Sequence, residues 1–129
     1  MQYEIIMVNE YQKELQSLMI KELSGKVHHF YTQYLILLKL LEKNRPYHIC
    51  QIHGHELLKH TQPKLLSLHI KKGRLYNIRV ICYFMGSQYI LLSIFNEKND
   101  NRQSSYEKYI QGSYQRLERY LRGEENDRK

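Results

Sequence analysis

The stretch Leu75-Tyr76-Asn77-Ile78-Arg79-Val80-Ile81-Cys82-Tyr83-Phe84 constrains this chain more than any other. It is rich in β-branched and aromatic residues, and it is flanked by Lys71-Lys72-Gly73-Arg74 and Met85-Gly86-Ser87-Gln88. These are the signals of a strand between two turns. Side chains alternate across a strand. Tyr76, Ile78, Val80, Cys82 and Phe84 therefore make an apolar face, while Asn77, Arg79 and Tyr83 share the other with Leu75 and Ile81. A guanidinium midway along a strand needs a carboxylate partner or an anionic ligand. No acidic residue occurs between Glu56 and Glu97, so no partner lies close in sequence. The sequence thus predicts an anion site at Arg79 or, failing that, an ion pair with a helix carboxylate such as Glu14 or Glu22.

The charge distribution points the same way. The chain has 129 residues, enough for one domain, with a net charge of +7 and a pI near 9.4. Between residues 57 and 96 the only charged side chains are Lys59, Lys64, Lys71, Lys72, Arg74 and Arg79, with His60 and His69 beside them. A surface built only for solubility interleaves both signs, so a polyanion or an acidic protein is the expected partner. No apolar run approaches the roughly 18 residues of a membrane-spanning helix, and the N-terminus lacks a leader pattern. The expectation is a soluble cytoplasmic protein. Cys50 and Cys82 are too few for a disulfide framework. Cys50, His53 and His55, with His48 and His60 nearby, match no zinc spacing. No metal or cofactor is expected, and residues 46–63 read as a His-rich surface loop or a short helix over 56–60. His28 and His29 read as surface positions.

In chain order, residues 2–8 read as a short strand. Asn9 is the expected N-cap of a helix carrying Tyr11, Leu15, Leu18, Met19 and Leu23, which Ser24-Gly25 ends. A second helix over 26–43 buries Val27, Phe30, Tyr31, Tyr34, Leu38 and Leu41 before Asn44-Arg45-Pro46 stops it. A strand over 64–70 turns into the central one. A three-residue loop, Lys72-Gly73-Arg74, would pair Ile70 with Tyr76, Leu68 with Ile78 and Ser67 with Arg79, keeping every apolar residue on one face. A two-residue loop would drive His69 into the core. At the next turn, Gly86-Ser87 suits a two-residue hairpin, whereas matching apolar faces asks for three. Residues 89–95 are apolar on both faces and read as an interior strand. Ser104 or Ser105 caps a last helix bearing Tyr106, Tyr109, Ile110, Ser113, Tyr114, Leu117 and Leu121. The predicted fold is α+β, an antiparallel sheet of about four strands in the order β-α-α-β-β-β-α, with helices on one face and the basic face open.

Three segments carry a family resemblance. Leu66-Ser67-Leu68-His69-Ile70 followed by Lys71 resembles a Leu-Tyr-Glu-Leu-Arg strand. Ile78-Arg79-Val80-Ile81-Cys82-Tyr83-Phe84 resembles a Tyr-Arg-Val-(Leu/Phe)-Tyr-Phe strand. Ile90-Leu91-Leu92-Ser93-Ile94-Phe95-Asn96-Glu97-Lys98 resembles an Ile-Leu-Leu-x-x-Phe-x-Lys-Lys strand. With the closing helix around Arg116-Leu117, these are similar to the RelE superfamily of toxin endoribonucleases, and in particular to its phage-type HigB-like branch. The likeness covers residues 57–121 and is architectural before that. It implies one RelE-like domain over residues 1–122 and a flexible C-terminal tail over 123–129. Two positions depart from the pattern. His69 stands where the family often has arginine, and Glu97 replaces the first lysine of the Lys-Lys pair.

The resemblance implies cleavage of mRNA, commonly on the ribosome and without a metal, by a protein that a cognate antitoxin, such as a small helix-turn-helix protein, holds inactive. The reaction is attack of a ribose 2′-hydroxyl on the adjacent phosphate. It needs an acceptor for the hydroxyl proton, a cation for the phosphorane charge and a proton for the leaving 5′-oxygen. Arg79 is the expected cation through its fixed fork of donors, Lys98 the second, and His69 the acid or base. Lys64, Lys71, Lys72 and Arg74 are expected on the RNA backbone, with Tyr83 stacking a base or orienting a phosphate. Two alternatives stand beside this: a ParE-like toxin that inhibits a topoisomerase, and a non-catalytic RNA-binding or regulatory protein of a mobile element.

Overall fold

The computed structural model of the chain describes residues 2–52, 54–97 and 103–123, with residues 103–105 described by backbone alone. Strand β1 (Glu4–Met7) leads into helix α1 (Asn9–Ser17), which continues as a wider π-helical turn over Leu18–Glu22. Helix α2 (Val27–Lys43) and the short α3 (Pro46–Ile49) follow. Then come β2 (Glu56–Leu57), β3 (Leu66–Lys72), β4 (Tyr76–Met85), β5 (Gln88–Asn96) and helix α4 (Gln103–Leu121). The fold class is the expected α+β, but the sheet has five strands in the order β1-β5-β4-β3-β2. The extra strand is β2, where residues 56 and 57 pair with Ser67 and Leu66 instead of starting a helix. β1 runs parallel to β5 at one edge of the sheet, and the helices that follow it lead to β2 at the opposite edge, from which the strands return to β5 as an antiparallel meander.

Local signals fixed most boundaries to within a residue. Helix α1 begins at Asn9 itself with Val8 in the capping position, and the Gln12 amide donates to the Met7 carbonyl at 2.8 Å. The β3–β4 loop has the expected three residues, but they are Gly73-Arg74-Leu75. Sliding the loop by one residue moves the pairing by two. Ile70 therefore lies opposite Ile78, Leu68 opposite Val80 and His69 opposite Arg79. The apolar faces are unaffected by a shift of two.

The β4–β5 hairpin meets both demands read from its sequence. Its tip is the two-residue turn Gly86-Ser87, with Gly86 at φ 63°, so Met85 pairs with Gln88. Halfway along, a bulge lies between Ile81 and Cys82. Cys82 pairs with Leu91 and Ile81 with Ser93, leaving Leu92 as the extra residue. The bulge re-matches the inner halves of the two strands as a longer turn would have done.

The helices do not all lie on one face, contrary to expectation. On one side α2 presses Phe30 edge-on against Tyr76, with ring centres 6.0 Å apart, and His29 bonds the Tyr76 hydroxyl at 2.5 Å. His29 is thus half-buried, not a surface position. On the other side α4 stacks Tyr109 on Phe95 at 3.8 Å and joins Ser113 to Ser93 at 2.7 Å. The sheet is the middle of the molecule, and every residue of β5 from Tyr89 to Asn96 is buried. Helix α4 covers part of the face that the sequence left open.

Candidate functional site

Arg79 sits at the centre of β4 on the α4 side, and the pairing places His69 of β3 directly across from it. Residues facing each other in an antiparallel pair project to the same side. The imidazole and the guanidinium therefore share one patch. Asn77, one pleat further along, binds His69 Nε2 through its Oδ1 and donates Nδ2–H to Glu97 at 3.4 Å. An amide oxygen only accepts, so His69 carries its proton on Nε2 and keeps the lone pair on Nδ1. Gly54 stands beside that nitrogen at φ +97°, and a Cβ there would come within 3.1 Å of His69 Nδ1. Glycine is needed at position 54 for both its backbone angle and the space it leaves.

Arg79 is not without a counter-ion, and this corrects the expectation drawn from the sequence. Its Nε donates to Glu97 Oε1 at 3.1 Å, and Nη1 lies 3.8 Å from Glu56 Oε2. Nη1 also donates to the Gly54 carbonyl at 3.2 Å and to Ser67 Oγ at 3.3 Å. The two carboxylates are those that bound the acid-free stretch. The sheet folds both ends of it onto its middle: Glu97 N–H donates to the Asn77 carbonyl at 2.7 Å, and Glu56 pairs with Ser67. Neither Glu14 nor Glu22 is the partner; Glu14 is bound to Arg116. The Arg79 side chain keeps 17% of its surface, and among the described residues Nη2 has no hydrogen-bond partner.

Two further groups enter the patch that sequence reasoning missed. Tyr106 of α4 donates its hydroxyl to Ser67 Oγ at 3.0 Å, so Ser67, fully buried, accepts from both Tyr106 and Arg79. His55, read from sequence as a surface position, accepts the His69 backbone N–H on its Nδ1 at 3.0 Å. Burial lowers the His55 pKa first, and the His69 and Arg79 charges push it the same way. His69 is also lowered, chiefly by burial with Arg79 and Lys71 adding to it, against the Asn77 hydrogen bond and Glu97. Both imidazoles are therefore neutral at pH 7. Burial raises the Tyr106 phenol, keeping it protonated. The correct β3–β4 register was the signal that would have joined His69 to Arg79, and the β2 pairing the one for His55.

The remaining expected site residues are dispersed. Lys71 lies opposite Asn77 and next to the patch, exposed. Lys72 and Arg74 are exposed at the hairpin tip. Lys64 precedes β3, with its ammonium on the Lys59 carbonyl at 3.0 Å. It is five residues from His69, about 16 Å of extended chain. Tyr83 shares the face of Arg79 but lies four residues away, half-buried against the core. Lys98 and His53 lie outside the described residues. Among the described residues, no three His, Cys, Asp or Glu side chains gather as a metal site, and no helix is long and apolar enough to cross a membrane.

The arrangement offers a neutral imidazole, a guanidinium with a spare donor and a carboxylate within one hydrogen-bonded group, beside a basic hairpin. These are groups that can hold a phosphodiester and move a proton. No known family, no curated protein and no solved structure matches the chain.

Proposed function

We propose that this chain is the toxin of a toxin-antitoxin pair, a metal-independent endoribonuclease that cuts mRNA at the ribosome in the cytoplasm. The observation that carries the reading is the meeting of His69 and Arg79 across one rung of the β3–β4 ladder. In this reading His69 Nδ1 takes the 2′-hydroxyl proton, and the 2′-oxygen forms a bond to phosphorus. The spare Nη2 of Arg79 holds the phosphorane charge. The phosphorus–5′-oxygen bond breaks, and the leaving oxygen takes a proton from the Lys98 ammonium or from solvent. Glu97 orients the guanidinium through Nε and Asn77 fixes the His69 tautomer. Glu56 is displaced by the incoming phosphate, since at 3.8 Å and 55% exposed it contributes little. Lys71, Lys72 and Arg74 track the RNA backbone. A cognate antitoxin holds the protein inactive.

A second reading has its own support. The Glu97–Arg79 pair also suits a structural cross-brace, with RNA binding left to the basic hairpin and no bond cut. Induced expression with mapping of transcript ends separates the two. The nuclease creates new ends in translated mRNAs and arrests growth, and Arg79→Ala abolishes both while the protein stays folded. A passive binder creates no ends but retards RNA with a steep salt dependence. A topoisomerase inhibitor would instead provoke a DNA-damage response with transcript ends unchanged.

A further inference from the structure

A cavity of about 220 Å³ opens beside the patch, where β2 stops and β3 loses its outer neighbour. That is below the roughly 300–1,000 Å³ of pockets for drug-sized ligands, so it has room for a single small ring. Its apolar wall is Leu37 of α2 and Ile70 of β3, both buried, with the exposed Ile36 at the rim. Its polar wall is Gln33, His55, His69 and Lys71. The hydrogen bond from His69 N to His55 Nδ1 leaves the His55 proton on Nε2, a donor. It also shows that the main chain of His69 points away from β4. Main-chain groups alternate in direction along a strand, so the N–H and C=O of Lys71 turn to the same open edge. A small, mostly polar slot with one apolar wall, edged by paired donors and acceptors, suits a flat heterocycle read on its edge. The Lys71 ammonium suits the phosphate attached to it.

We propose that this cavity is a nucleobase subsite, taking one unstacked base of the RNA strand whose neighbouring phosphate lies on Arg79. It rests on the ribonuclease reading and adds to it the choice of base. His69 is the wall between the two positions, so a base seated in the cavity sets the phosphate against the imidazole. Gln33 and the Lys71 main chain read the base edge, which confines recognition to single-stranded RNA, whose base edges are free.

The test titrates the full chain with each of the four nucleoside 5′-monophosphates and with inorganic phosphate, reading the His55 and His69 ring signals by NMR. Gln33 is exposed and alanine is the better helix former, so Gln33→Ala keeps the fold. The expected result is that one nucleotide shifts both rings at about tenfold lower concentration than the others. Inorganic phosphate does not match it, and Gln33→Ala removes the preference. Equal shifts by inorganic phosphate, or a preference indifferent to Gln33→Ala, overturn the subsite. The two readings fail separately. If RNA is cut at Arg79-dependent positions whose base preference ignores Gln33→Ala, the subsite falls and the nuclease stands. If Gln33-dependent nucleotide binding is found but no RNA is cut, the nuclease falls and the subsite stands.

Discussion

Arg79 and Arg116 are equally shielded, with side chains 17% and 18% exposed, yet their surroundings differ in kind. Arg116 of α4 grips Glu14 of α1 with both prongs, at 2.8 and 2.9 Å. Its Nη1 also reaches the Leu92 carbonyl at 2.7 Å and Ser93 Oγ at 3.1 Å, while Glu14 accepts the Ile94 N–H at 3.2 Å. Two helices and the interior strand are tied together at the bulge by one bidentate pair. Arg79 instead meets Glu97 with Nε alone and Glu56 at 3.8 Å, with Nη1 on the Gly54 carbonyl and Ser67 Oγ, and among the described residues its Nη2 has no hydrogen-bond partner. Burial alone would have called these residues alike. The geometry of the fork separates them: Arg116 is held by a bidentate carboxylate, Arg79 by a single-pronged one.

Substitutions at these two arginines, at the paired histidines and at the hairpin tip test the contrast. The largest effect is expected from Arg79→Ala, which should lower RNA cleavage by about 100- to 1,000-fold, the size of a lost oxyanion-type donor. Its cost in stability should be smaller than that of Arg116→Ala, since Glu97 loses a single-pronged contact and not a bidentate one. Arg116→Ala should reverse the pattern. It strands the Glu14 carboxylate and should cost about 3 kcal/mol by urea unfolding, with cleavage per folded molecule retained. If both variants lose stability alike, the distinction between the two arginines is wrong.

The third concerns pH. His55 and His69 are both lowered by burial in the folded state, so the unfolded chain binds more protons below its ordinary histidine range. Their contribution to stability is present above about pH 6.5 and is lost as pH falls through the folded values. The urea midpoint should therefore drop between pH 7 and pH 5. The double variant His55→Gln, His69→Gln should flatten that slope. The smallest effect belongs to the hairpin tip. Lys72→Ala should weaken RNA binding evenly across sequences and reduce the salt slope by about 0.7, one phosphate contact on a single strand.

The fold was legible where period and punctuation agree. Alternation in residues 76–84 defined β4, the apolar run 89–95 defined an interior strand, and the Tyr and Leu spacing defined α2 and α4. The two-residue strand β2 was not legible, because residues 56 and 57 carry no alternation and pair only by position. The side taken by α4 was also hidden. It depends on Ser113, Tyr109 and Tyr106 finding Ser93, Phe95 and Ser67, small and aromatic partners with no sequence signature of their own. At the site, the sequence singled out Arg79 and His69 but kept them out of register, because two registers that differ by two residues bury the same apolar face. It also treated sequence distance from Glu56 and Glu97 as distance in space. An antiparallel sheet undoes that equation, since it returns both ends of a segment to its middle.

The proposed nuclease stands or falls on whether the His69–Arg79 rung breaks a phosphodiester by 2′-hydroxyl attack. The most direct measurement is the chemistry of the ends left on an mRNA translated in a reconstituted system containing the protein. A nuclease of this kind leaves a 2′,3′-cyclic phosphate on one fragment and a 5′-hydroxyl on the other. Neither should form when the scissile ribose is 2′-deoxy, and both should fall by about 100- to 1,000-fold when Arg79 is alanine. Intact mRNA, or fragments that still form with the 2′-hydroxyl removed, would contradict it.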